Sequence, residues 1–109
     1  MTTSQKYPPV HPGKTLWRKF FEPLNLSVEE SANALKIPPY QFQDLVDGKS
    51  KIDLEIAYHL GRYFQIEPEL FLNLQQRYDF EVWKDRQESV VKRQVKPRSK
   101  VGKVSQVQP

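Results

Sequence analysis

The sequence predicts an all-α domain of five short helices. Three observations lead there. Apolar residues recur at helical spacing along most of the chain, and no run alternates as a half-buried strand would. Pro12, Ser27, Pro38-Pro39, Asp53 and Pro68 stand where helix caps and first turns are expected. The second and third apolar segments are separated by only two or three residues, the spacing of a helix, a tight turn and a second helix.

Helix one opens at Pro12, whose missing N–H costs nothing in a first turn, and carries Leu16, Phe20, Phe21 and Leu24 toward a stop near Pro23. Helix two starts at Ser27. Glu30 stands three residues on, the spacing of a capping box, and the helix runs through Ala32 and Leu35 to about Lys36. Helix three begins at the Pro-Pro and buries Phe42, Leu45 and Val46. Gly48 ends it in the left-handed conformation. Asp53 caps helix four, with Ile56, Ala57, Leu60 and Phe64 inward. Pro68 opens helix five, which reaches past Trp83 with Leu70, Phe71, Leu74 and Tyr78 toward the core. Helices two and three are each too short to be stable alone, so packing must hold them.

At 109 residues the chain has room for one domain, expected over residues 10–88 after a flexible segment at 1–9. The formal charge of +4 is unevenly placed. Residues 1–88 hold 11 Lys and Arg against 13 Asp and Glu, whereas residues 89–109 hold six cations and no acid. The high isoelectric point is therefore a property of the tail, expected to be disordered or to extend helix five as far as about Lys96. There is no Cys, which excludes disulfides and thiolate metal sites. No apolar run suits a signal peptide or a membrane span, so a soluble cytoplasmic protein is expected.

His11-Pro12-Gly13, Glu22-Pro23-Leu24, Leu26-Ser27, Ala34-Leu35, Pro38-Pro39, Gly48-Lys49, Arg62-Tyr63-Phe64 and Leu72-Asn73-Leu74-Gln75 with Tyr78-Asp79 resemble the HigA antitoxins, also called VapI. The resemblance covers roughly residues 8–86. It implies a lambda-repressor-like helix-turn-helix of the XRE type. It further implies a cytoplasmic homodimer that represses a promoter on double-stranded operator DNA and neutralises a cognate, mRNA-cleaving toxin protein. The sequence departs from the family pattern at Val28, where Gln is common, and at Ser31, Lys36, Gln41, Asp47 and Ser50.

In that geometry the first turn of helix three enters the major groove. The candidate DNA-binding residues are Ser27, Val28, Tyr40, Gln41, Gln43, Asp44, Lys49 and Lys51. Gln41 or Gln43 suits adenine N6 and N7, and Asp44 suits cytosine N4. Lys49, Lys51 and the N-terminus of helix two suit phosphates. The alternative is an ordinary solvated helix face. Leu72, Phe80 and Trp83 lie off the core stripe of helix five and form a candidate dimer or partner interface, the alternative being a helix that buries more than one face. His11 and His59 are expected to cap or pack. No nucleophile, phosphate-loop or metal-ligand spacing is present, so neither catalysis nor a cofactor is expected.

Overall fold

The computed structural model describes residues 8–98. Most of the segment expected to be flexible (1–9) and the last part of the basic tail (99–109) lie outside them. The order of elements is α1 (Pro12–Leu16), a π-helical turn (Trp17–Phe21), a 3-10 turn (Glu22–Leu24), α2 (Val28–Leu35), α3 (Pro39–Val46), α4 (Leu54–Phe64) and α5 (Pro68–Gln94). No strand occurs among the described residues.

The starts follow the capping chemistry. Ser27 accepts from the Glu30 N–H at 3.0 Å, and Glu30 accepts from the Ser27 N–H at 2.8 Å, the reciprocal pair expected. Asp53 accepts from the Ile56 N–H at 2.9 Å. Lys36 ends α2 in the left-handed region at φ 62°, an uncommon place for a residue with a Cβ. Ser31 is fully buried, and its hydroxyl is satisfied by the Ser27 carbonyl at 2.8 Å. The polar residue at this inward position thus leaves no orphan.

Helix one differs from its expectation. Past Leu16 the chain widens into a π turn, in which the Glu22 N–H bonds the Trp17 carbonyl five residues back. The wider turn brings Leu16 and Phe21, five apart, into the core together. Phe20 still reaches Phe64 and Phe71, with ring centroids at 5.2 and 5.4 Å. Phe21 meets Phe42 and Phe64, both at 5.2 Å. These rings and Leu45, Ile56 and Leu60 form one core that touches every helix. Burial of such side chains contributes about 1.5–3 kcal/mol each.

Two positions on α5 depart from the expected stripe. Leu70 is 43% exposed, and Leu72 packs partly against the core. The face buried against α4 is centred on Phe71 and Gln75, one turn apart, which rotates Leu70 outward and Leu72 inward. α5 also continues to Gln94, so residues 89–94 are helical, in keeping with the expected alternative that helix five extends as far as about Lys96.

Candidate nucleic-acid interface

α3 presents the polar side anticipated for it. Tyr40 is 72% exposed, Gln43 and Asp44 are exposed, and Gln41 is half-buried. Phe42 and Leu45 face the core, fixing which way the polar side points. Gln43 donates to Asp47 at 3.0 Å, so this amide is engaged before any ligand arrives. Ser27 stays at the cap of α2, whereas the Val28 side chain is half-buried against the core. Any phosphate contact at Val28 would fall to its backbone N–H in the first turn. Lys49 is exposed just beyond α3, and its N–H donates to the Asp44 carbonyl at 2.8 Å, tying the loop to the helix end. Lys51 reaches Asp79 at 3.4 Å.

The loop after α3 is held from two sides. On one side, His11 Nδ1 accepts from the Gly13 N–H at 2.9 Å and caps α1. The same ring lies 5.0 Å from the Tyr78 ring and against Gly48, which has a φ of 82°. Gly13 is where the backbones of α1 and α3 meet, since a Cβ there would stand 2.7 Å from the Leu45 carbonyl carbon. On the other side, Gln75 is only 5% exposed and accepts from the Ile52 N–H at 2.8 Å. Its amide donates to Asp79 at 3.0 Å, and Asp79 in turn meets Lys51. The two stretches "HPG" and "LNLQQRYD" therefore converge on the loop that bears Lys49 and Lys51. Sequence reasoning marked both stretches and missed that their side chains brace this loop. Position supplied a signal for Gln75, which sits one turn from Phe71 on the inward face.

His11 couples this brace to pH. Burial lowers its pKa from the ordinary 6.5 and Lys14 lowers it further, while a hydrogen bond with the Ser50 backbone and the Asp79 carboxylate pull the other way. The neutral ring is thus the stabilising form. Its contribution is complete above the unfolded value of 6.5 and is lost as pH falls from there toward the folded value. Protonation also ends the cap, because a protonated Nδ1 cannot accept from Gly13. Urea midpoints should fall as pH drops through 6.5, and fall less in His11→Asn, which can still cap but does not titrate. Equal slopes in the two proteins would remove His11 as the source.

His59 Nδ1 bonds the Leu35 carbonyl at 2.7 Å and joins α4 to α2, a packing role. On α5, Phe80 is 63% and Trp83 57% exposed, whereas Leu72 is the partly buried member of the expected interface.

A tight α2–α3 pair, a polar exposed α3 and a braced cationic loop define a repressor-like helix-turn-helix protein. Virulence-associated protein I of Dichelobacter nodosus is 30% identical over 83 residues, covering 76% of this chain and 77% of its own length. A helix-turn-helix-type transcriptional regulator of Haemophilus influenzae is 37% identical over 71 residues, 65% of this chain and 66% of its own. The antitoxin HigA of Pseudomonas aeruginosa, solved with the higBA promoter, superposes with a TM-score of 0.78 at 28% identity, over 82% of this chain and 97% of its own. No protein-family model matches the sequence. The chain belongs to the HigA/VapI-type family of XRE helix-turn-helix proteins.

Proposed function

We propose that this chain is the antitoxin of a toxin–antitoxin module. As a homodimer in the cytoplasm it binds double-stranded operator DNA at the promoter it shares with its toxin, and it binds and neutralises that mRNA-cleaving toxin protein. The observation behind the DNA half is α3, whose polar side is largely exposed while its apolar side and the following loop are fixed from both flanks. A reading helix must be held rigidly for base contacts to discriminate. The toxin half rests on family membership.

In this reading Tyr40, Gln41, Gln43 and Asp44 face base edges, Lys49 and Lys51 face phosphates, and Ser27 and Val28 offer the α2 N-terminus to a phosphate. Asp44 serves selection, because a carboxylate in the groove is repelled unless a base donates to it. Asp44→Ala should weaken operator binding by about 1–3 kcal/mol and relax the preference at one base pair. Lys49→Ala should weaken all sequences alike, because phosphate contacts position without reading. Uniformly tighter binding by Asp44→Ala would mean that the carboxylate only repels.

One observation favours a second reading, a toxin-binding antitoxin with no competent DNA binding. Gln43 is engaged by Asp47, and Asp44 and Asp47 set two carboxylates on the side that would face a polyanion, with Asp79 beside Lys51. A chain that binds the product of the neighbouring reading frame and shifts no promoter fragment fits that reading. A stand-alone regulator would instead have no toxin-sized neighbour.

A further inference from the structure

Affinity for duplex DNA comes largely from cations that neutralise phosphates. The surface around α3 offers few of them, Lys36, Lys49 and Lys51, set against Asp44 on the helix, Asp47 at its C-cap and Asp79 beside Lys51. The deficit runs through the body of the protein, where acids outnumber bases up to Glu88. Beyond Glu88 the balance reverses. Lys92, Arg93, Lys96 and Arg98 follow within seven residues, with no carboxylate among them.

The structure gives this reversal a place. From Asp79, which holds Lys51, α5 runs a further 15 residues to Gln94, about 22 Å. All four cations are exposed. Glu88 lies 3.9 Å from Lys92, whose side chain stays 76% exposed, an ion pair too loose to withhold the charge from another ligand. Lys92 and Arg93 thus stand about three to four turns beyond Asp79 on the helix whose middle braces the phosphate-facing loop, and Lys96 and Arg98 follow in the non-helical segment past its end.

We propose that the C-terminal end of α5 is a second DNA contact, in which Lys92, Arg93, Lys96 and Arg98 hold backbone phosphates of the operator duplex without reading its sequence. The proposal rests on the DNA reading above and supplies the attraction that α3 lacks. A dimer would bring two such ends to one duplex.

The test is operator binding by the full chain over a range of salt concentrations, compared with a variant in which all four cations are replaced by Gln. Gln keeps the helix propensity, and circular dichroism checks that α5 persists. The log–log salt slope should flatten by about 0.9 for each phosphate that is no longer neutralised. Affinity should fall equally for operator and scrambled duplex, so their ratio is unchanged. Several results would overturn the proposal. An unchanged slope with intact operator binding sinks it alone and leaves the α3 reading standing. An unchanged slope with weakened toxin binding assigns the cations to the protein partner. A collapsed operator preference makes these residues readers. A wild-type chain that binds no duplex at low salt removes both readings together.

Discussion

Replacing Gly13 by Ala should cost more than about 3 kcal/mol of stability, beyond the usual range for overpacking, because the obstacle is backbone. Gly13 is buried at the crossing of α1 and α3, and an added Cβ would overlap the Leu45 carbonyl group. That carbonyl is engaged, accepting from the Gly48 N–H at 3.0 Å at the end of α3. Relief therefore requires α1 to separate from α3, opening the core around Leu16 and Phe42. Gly48→Ala is the informative contrast. It meets only ordinary packing, with its nearest atom in the His11 ring at 3.5 Å, but must hold φ at 82°. That strain costs about 1–2 kcal/mol. Urea unfolding followed by circular dichroism ranks the two. A Gly13→Ala protein within about 1 kcal/mol of wild type would mean that the two backbones are not this close.

Removing Phe80 and Trp83 together should turn a dimer into a helical monomer and cut operator affinity about a hundredfold or more. The first effect follows from exposure. Two large aromatics stand more than half exposed on the outer side of α5, and aromatics are the residues that interfaces concentrate. The second follows from geometry. A dimer engages two half-sites about one DNA turn apart, and tethering two binding events gains about 10²–10⁴ over one. Light scattering on Phe80→Ala with Trp83→Ala reads the first effect, and titration of the operator reads the second. A double variant that stays dimeric would take this face of α5 out of the interface.

The local signals in the sequence are those that local chemistry decides. Ser27 with Glu30, Asp53, Pro39 and Gly48 act within a turn of themselves, and each stands in the structure where its neighbours place it. The π turn at Trp17–Phe21 was not legible. It arises because Leu16, Phe20 and Phe21 must all reach a core built from later helices, and helical spacing alone cannot report that demand. α5 was mis-phased for a related reason. Its inward face includes a polar residue, Gln75, so counting apolar positions put the stripe off centre. Gln75 is buried because the Ile52 N–H, 23 residues away in sequence, needs an acceptor. The polar side of α3 was legible from the inward set Phe42 and Leu45. The half-burial of Val28 was not, since it depends on how α2 lies against the core.

Titration of the wild-type chain against its own promoter fragment, beside a scrambled duplex of equal length, tests most directly whether the polar side of α3 reads DNA. At physiological salt the promoter should be bound about 10³-fold or more tightly over the scrambled duplex. The preference should fall in Asp44→Ala and persist in Lys49→Ala. Equal binding to the two duplexes, or no binding to either while the product of the neighbouring reading frame is held tightly, would contradict it and leave that side of α3 a solvated surface or part of a protein interface.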